Sequence, residues 1–316
     1  MHTVLTDLTE RPPTWEDAQQ VLGLQIRRDV SEFGEPDSDL EDLQHDWRQM
    51  DLARDAWLLF TPDGELVGYG AVMEWVSGLR YELVGDPTWE GEGITCALLA
   101  RCEERGLALA HGRGDTTGTV VTVYTGDGNA RDRGILEQAV FGVALYHVQM
   151  QIEIGAMLPD PPWPEGVSCR TTLPGQDDRA LHRLIQAAFE RPGRTGQNFE
   201  DWKQFMMRPE IFQPGLWFLV FAGSELVGAC LCFEYPELGW VRQLAVAETW
   251  RRKGLGSALL LHAFGEFKRG GFHKVGLTVA STNRDAYSFY QAVGMQPLRQ
   301  YVEYRKVIGG EGAPID

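Results

Sequence analysis

Apolar residues along this chain recur with two spacings, and each spacing points to one kind of element. After Thr14, the residues Trp15, Ala18, Val21, Leu22 and Ile26 return every three or four positions, as on a helix with one inward face. Ser38, with Glu41 at capping-box spacing, opens a second helix that turns Leu40, Leu43, Trp47 and Met50 inward. The pattern then shortens to apolar runs, WLLF at 57–60 and ELVG at 65–68, around Pro62-Asp63-Gly64, which predicts a hairpin. A strand, a helix, a strand, a helix and a last strand complete the series.

The series then runs a second time. Helices are expected over about 176–190 and 198–208, then WFLVF at 217–221 and ELVG at 225–228 around the turn Ala222-Gly223-Ser224. Both runs repeat the first set at an offset of 160. WEGEGITCALL at 89–99 aligns with WRRKGLGSALL at 250–260, and the segment from Asn129 to Gly142 resembles that from Asn283 to Gly294. Three matches in the same order indicate a duplicated unit. Between the copies lies LPDPPWPEG (158–166), whose prolines continue neither a helix nor a central strand. The expected organisation is therefore a first domain over 1–158, a Pro-rich linker over 159–166, a second domain over 167–308 and a flexible tail over 309–316. Strands alternating with helices after an antiparallel start predict an α+β class, each copy a mixed, mostly antiparallel sheet flanked by helices.

Composition narrows the setting. The 316 residues are 43% hydrophobic and 23% charged, without a low-complexity tract or a run long enough to span a bilayer. The opening MHTVLTDLTERPP lacks the order of a secretory signal, and five scattered cysteines argue against a disulfide framework, so a reducing cytoplasm is expected. A net charge of -16 opposes nucleic-acid binding, which needs clustered cations. Its distribution is uneven: residues 1–158 hold 11 Arg, no Lys and 28 Asp or Glu, whereas the remainder is close to balanced. That acidity serves solubility or attracts a cationic substrate or partner.

The chemistry is concentrated in residues 241–267. An apolar strand with Leu244, Ala245 and Val246 runs into a loop, Arg251-Arg252-Lys253-Gly254-Leu255-Gly256-Ser257, that opens a helix keeping Leu260, Ala263, Phe264 and Phe267 on one face. Backbone N–H groups at a helix start favour anions, glycines admit a close approach, and three basic residues add charge, a combination suited to a pyrophosphate. A second apolar strand, 274–283, ends in Asn283 and leads to a helix carrying Ala286, Phe289 and Tyr290, with Gly294 as its stop.

On these residues the chain resembles the GNAT superfamily of N-acetyltransferases, which shows [Q/R]-x-x-G-x-[G/A] after a strand and N-x-x-A-x-x-F-Y-x-x-x-G after the next. Every position is filled by Arg251, Gly254, Gly256, Asn283, Ala286, Phe289, Tyr290 and Gly294. The resemblance implies acetyl-CoA as co-substrate and no metal. It implies that the amides of 252–257 hold the pyrophosphate, that Leu244–Val246 bonds the pantetheine arm, that Asn283 touches the cofactor, and that Tyr290 protonates the departing thiolate. The implied activity is acetyl transfer by direct attack in a ternary complex, to a primary amine of a small molecule or peptide.

In the first copy Glu90 and Glu92 stand where Arg251 and Lys253 would be, Thr95 replaces Gly256, and Glu137 falls near the place of Tyr290. That copy is expected to be degenerate. Relatives place a Glu near Trp240 or Thr278; the nearest carboxylates here are Glu234 and Glu237, and Glu234 is the expected base, acting directly or through water. Cys230 and Cys232 share a strand face, but without partnering ligands they predict no zinc site. Trp202, Phe205 and Met206 serve either as core or as an acceptor wall. Two alternatives stay open: a two-copy chain of this length also resembles the mycothiol synthases, which acetylate an amino-sugar cysteine conjugate, and a non-catalytic acyl-CoA-binding regulatory module would keep the loop and lose the base. The acceptor's identity and the oligomeric state are not legible in the sequence.

Overall fold

The computed structural model describes residues 8–75, 78–89, 93–113, 118–155, 158–189, 196–208 and 211–309. It divides into two compact units, Met1–His147 with Arg299–Asp316, and Val148–Leu298. In the first unit the order is β1 (Thr9–Arg11), α1 (Ala18–Phe33), α2 (Leu40–Arg48), α3 (Leu52–Asp55), β2 (Ala56–Phe60), β3 (Leu66–Trp75), β4 (Gly78–Gly85), α4 (Gly93–Arg113), β5 (Thr119–Gly126), α5 (Ala130–Gln138) and the start of β6 (Gly142–Glu153). The second unit holds the end of β6, β7 (Val167–Thr171), α6 (Asp178–Phe189), α7 (Phe199–Met206), β8 (Trp217–Ala222), β9 (Glu225–Tyr235), β10 (Leu238–Val246), α8 (Leu255–Arg269), β11 (Lys274–Ala280) and α9 (Arg284–Ala292). A last strand, β12 (Gln296–Ile308), ends the regular structure.

Each unit is a mixed sheet with helices on both faces. In the first, α1 and α2 cover one face through Val21, Leu24, Leu43 and Trp47, and α4 and α5 cover the other through Leu98, Leu99, Ile135 and Leu136. In the second, α6 and α7 bury Leu181, Ile185, Trp202 and Met206, while α8 buries Leu259, Leu260, Ala263, Phe264 and Phe267 on the opposite face. The glycine of the repeated ELVG motif has a packing cause: a Cβ on Gly68 would lie 2.9 Å from Ile94, and one on Gly228 would lie 3.0 Å from Leu259. The helix seats directly on the strand in both copies.

A second repeated device closes the start of each unit. Arg11 makes two hydrogen bonds to Asp17 (2.7 and 2.6 Å) and lies over Phe60; Arg170 makes two to Asp177 (2.6 and 2.8 Å) and lies over Phe221. The paired guanidinium holds each carboxyl below the usual carboxylate range. A depressed carboxyl stabilises the fold above its ordinary pKa, and that stability is lost as pH falls through the lowered value. Asp177→Asn should therefore cost about 2–3 kcal/mol at pH 7. The gap from the parent should narrow in urea titrations at pH 3; a gap independent of pH would show that charge is not the cause.

The terminal strands do not follow the expected boundaries. Residues 299–308 pack in the first unit, where Tyr301 to Ile308 pair antiparallel with Gly126 to Thr119 and bury Val302 and Tyr304. Arg299 bridges Glu35 and Asp37, at 2.7 and 3.1 Å, and Lys306 reaches Glu103 at 2.5 Å. Burial alone would raise the Glu303 carboxyl, but the His147 hydrogen bond (2.6 Å) and Arg305 hold it below the usual range. Conversely, Val148, Met150 and Ile154 join the α8-side core of the second unit, as do Leu158 and Trp163 of the Pro-rich segment. Each core is completed by a strand that chain order assigns to the other copy. Smaller differences are local: Asp39, not Ser38, caps α2 by accepting the Asp42 N–H, and Trp15 of the expected inward set is 51% exposed. Residues 310–316 of the expected tail lie outside the described residues.

Candidate active site

The second unit's sheet opens at one point. β10 and β11 pair in parallel at Leu238–Lys274, Gly239–Val275 and Trp240–Gly276. Beyond that pair they run on to Val246 and Ala280 without pairing, so a wedge opens between them. Trp240 closes its narrow end: a Cβ on Gly276 would lie 2.7 Å from the indole. On its far edge β10 is held by β9, with Leu244, Ala245 and Val246 opposite Cys230, Ala229 and Gly228. The backbone groups of the near edge face the wedge, where an extended ligand can bond them as an added strand would.

The basic loop stands where β10 delivers the chain to α8. Gly254 is the N-cap of α8 at φ +82°, a left-handed conformation that other residues reach only at a cost. Ala258 N–H donates to the Gly254 carbonyl, so the amides of Leu255, Gly256 and Ser257 precede the first intrahelical bond and are available to an anion. Leu255 itself is buried in the core and offers only its backbone. Gly256 has no steric need within the chain, since a Cβ there would meet Phe289 at an ordinary 3.5 Å and Val246 at 3.8 Å. Arg251, Arg252 and Lys253 are exposed. Arg252 contacts Asp285 at 3.2 Å, an exposed pair of small energetic weight, and Lys253 lies over Trp250.

On the β11 side, Asn283 accepts the Ala286 N–H and caps α9. Phe289 and Tyr290 pack at 5.2 Å centroid separation against the α8-side core, with Ala286 beside them. Burial pushes the Tyr290 hydroxyl pKa upward, and Cys230 acts in the same direction. The phenol is thus kept in its protonated, donating form. The loop 251–257 and the strand edge follow from β10, and Asn283 and Tyr290 follow from β11, the two strands that diverge.

Glu234 is not brought there. It pairs with Gly239, at the closed end of the wedge. A Cβ on Gly239 would point into Phe267 of α8, and directly opposed residues share a face, so Glu234 projects to the α8 side. Its Oε2 accepts from Gln213 at 2.9 Å. The expected acceptor wall also divides: Trp202 and Met206 are core, whereas Phe205 is exposed.

In the first unit the corresponding wedge is filled by the chain itself. β4 and β5 pair at Leu79–Val121, Arg80–Thr122 and Tyr81–Val123 before diverging. Between them, Arg28 of α1 donates to the Leu83 carbonyl at 2.7 Å and to Glu32 at 2.9 Å. Glu32 accepts from the Gly126 N–H and from Asn129 Nδ2, at 3.2 and 2.6 Å. Asn129 and Thr95 both donate to Asp132, which occupies the place of Ala286. Leu83 corresponds to Leu244, so Arg28 occupies the strand edge at which the second unit would receive a ligand; the counterpart of Arg28 is Ala188. Burial alone would lower the Arg28 pKa, but Glu32 and Asp132 raise it and keep the charge. This plug was not legible in the periodicity of α1. Arg28→Ala should cost about 3 kcal/mol in urea unfolding, because Glu32 loses its countercharge and keeps only the neutral donors of Gly126 and Asn129. It should open no second cofactor site while Glu32 and Asp132 remain.

Two further readings of the first copy change. Asn129 and Asn283 are both helix N-caps, and seven residues on from each stand Leu136 and Tyr290. The replacement for the tyrosine is therefore buried Leu136, while Glu137 accepts from the Tyr304 hydroxyl at 2.7 Å. Glu90 and Glu92 lie outside the described residues. The unit's acidity lines a separate hollow of about 170 Å³ bordered by Asp37, Asp39, Asp42 and Glu82, into which Arg80 brings a compensating charge. Among the described residues no group of three or more His, Cys, Asp and Glu has the arrangement of a metal site, and no helix is long and apolar enough to cross a membrane.

Known proteins are similar to this chain in sequence and in fold. The family model for the acetyltransferase (GNAT) family matches residues 179–295. The mycothiol acetyltransferase of Streptomyces coelicolor is 31% identical over 264 residues, covering 78% of this chain and 79% of that protein. That of Thermobispora bispora is 29% identical, covering 79% and 83%. Among solved structures, a GCN5-related N-acetyltransferase from Sphaerobacter thermophilus superposes with a TM-score of 0.86 at 29% identity, over 98% of this chain and 99% of the other. A tandem GNAT protein from the clavulanic acid biosynthesis pathway superposes at 0.73 with 17% identity, over 98% and 100%, and shows the shared fold.

Proposed function

Because the chain belongs to the GNAT family and is an acyltransferase, we propose that it transfers an acetyl group from acetyl-CoA to a primary amine, using only the wedge of the second unit. The observation that carries this reading is that an open strand edge at Leu244–Val246 leads into a basic helix start at 251–257, beside the strand whose following helix carries the half-buried, protonated Tyr290. The loop amides and basic side chains hold the pyrophosphate, and the free edge of β10 holds the pantetheine arm. The amine nitrogen attacks the thioester carbonyl carbon; a C–N bond forms and the C–S bond breaks. Tyr290 gives its proton to the departing sulfur and recovers one, through solvent, from the nitrogen. Asn283 fixes the start of α9 and so the position of Tyr290, seven residues on.

Glu234 has no part in this scheme. Glu234→Gln should leave the pH dependence of kcat/KM unchanged, and a displaced acidic limb would restore it as the base. A mycothiol-type acceptor is the second reading, favoured by the similarity to the two mycothiol acetyltransferases over most of the chain. Five free cysteines suit the reducing cytoplasm in which we place the reaction. Thiol release from acetyl-CoA, measured against a panel of amines, tests the proposal; acetyl-CoA binding without turnover of any amine would favour a regulatory acyl-CoA-binding module.

A further inference from the structure

The wedge has a second mouth, on the face of the sheet away from α8. Leu277 and Val279 of β11 join the α8-side core, so Thr278 between them turns to the opposite face. It is exposed there, although β11 lies between β6 and β10. Gln243 of β10 is opposite Leu231, which is buried in the core beneath α6 and α7, and so stands on the same face as Thr278. Both residues lie beyond Trp240–Gly276, the last pair before the strands diverge. A register shift between Val241 and Gln243 sets this orientation; without it, alternation from Trp240 would turn Gln243 toward α8. The first unit fills the same two places. Glu82 and Gln243 each precede the matched leucines Leu83 and Leu244, and Tyr124 and Thr278 each stand five residues before Asn129 and Asn283. Glu82 accepts from Arg80 at 2.8 Å, and Tyr124 packs on His147 with ring centroids 5.7 Å apart. Gln243 differs: its Oε1 is buried with no hydrogen-bond partner, while the side chain as a whole is half-buried.

An amide oxygen enclosed without a donor is unfavourable, and rotation about the last side-chain bond exchanges it with the NH2 group. Turned that way, the oxygen faces the opening and takes a donor from it. The cofactor elements lie toward α8, since the loop 251–257 starts that helix and Tyr290 packs against its core. The mouth beside Gln243 and Thr278 is the side left for the second reactant. An attacking amine directs its lone pair at the carbonyl carbon, and its N–H groups need oxygens to accept them. A carboxylate would favour the ammonium form, which has no lone pair; an uncharged amide oxygen accepts an N–H without that bias. We propose that Gln243 binds the incoming amine by accepting one of its N–H groups, in the mouth that Thr278 leaves open, and so holds it neutral for attack. This rests on the wedge of the second unit being the acetyl-transfer site.

The test compares the full-length parent with Gln243→Leu, Gln243→Glu and Thr278→Tyr, using acetyl-CoA with glycinamide, ethanolamine, benzylamine and glucosamine, read as thiol release. For the fastest of these amines, Gln243→Leu should lower kcat/KM about tenfold, the worth of one hydrogen bond, with the dissociation constant of acetyl-CoA within about twofold of the parent. Gln243→Glu keeps an oxygen in place and should recover at least about threefold of that loss. If the side chain only supported the sheet, the order would reverse, because leucine suits a half-buried strand position better than a glutamate without a partner. Thr278→Tyr puts the first unit's residue into the mouth and should raise KM for the same amine about tenfold, again at unchanged acetyl-CoA affinity. A leucine variant as active as the parent, a glutamate variant no better than leucine, or a parent-like KM in Thr278→Tyr refutes the assignment and leaves acetyl transfer standing. If the parent binds no acetyl-CoA by calorimetry, or acetylates none of the four amines, the acetyl-transfer reading fails and the assignment with it.

Discussion

Replacing Tyr290 with phenylalanine is expected to lower kcat for acetyl transfer about 100- to 1,000-fold, with KM for acetyl-CoA changed less than about threefold. The substitution removes one oxygen and leaves the ring in its place against Phe289 and the α8-side core. What disappears is the proton donor. Burial raises the Tyr290 pKa from its ordinary value of 10.0, so the hydroxyl is protonated across the neutral range and any loss of rate through its ionisation begins only above that value. An alkaline limb centred below pH 9 that vanished in the phenylalanine variant would contradict this assignment. A rise in KM at unchanged kcat would make Tyr290 a wall of the cofactor site instead of its acid.

The second large effect concerns the loop at 251–257, to which the proposed function assigns the pyrophosphate. Gly254→Glu should weaken acetyl-CoA binding at least about 100-fold, by calorimetry on the folded protein. The helix cap at φ +82° forces any side chain into a left-handed conformation costing about 1–2 kcal/mol. A carboxylate facing the pyrophosphate adds about 1–4 kcal/mol at a few ångströms. The parent should show one site per chain, because Arg28 and Glu32 occupy the first unit's wedge. Two equal sites would overturn the single-wedge reading. One site that survives Gly254→Glu would move the cofactor elsewhere.

Local chemistry was legible before any coordinates. The duplicated hairpin, the loop 251–257 and the helix behind Asn283 depend on residues close in sequence: a glycine that tolerates positive φ, an asparagine that caps, apolar residues spaced to fill one face. The structure keeps all of these, and even the misread cap of α2 moved by a single residue, from Ser38 to Asp39. The face that Glu234 takes was not legible, because a residue count along a hairpin does not reveal which side of the sheet a side chain occupies.

By itself, the sequence determined two copies of one α+β unit, a basic glycine-containing loop at a helix start in the second, and the family to which the chain belongs. Only the tertiary structure decided where the terminal strands go. The alternation in residues 299–308 suits any sheet edge, and it is the pairing with β5 and the charges of Glu35, Asp37 and Glu103 that select the first unit. The structure alone also decided that Arg28 fills one wedge where Ala188 leaves the other open. Hydrophobic period and capping act over a few residues and are written in order along the chain. Hydrogen bonds and ion pairs between distant elements depend on register and crossing, which exist only once the sheet has formed.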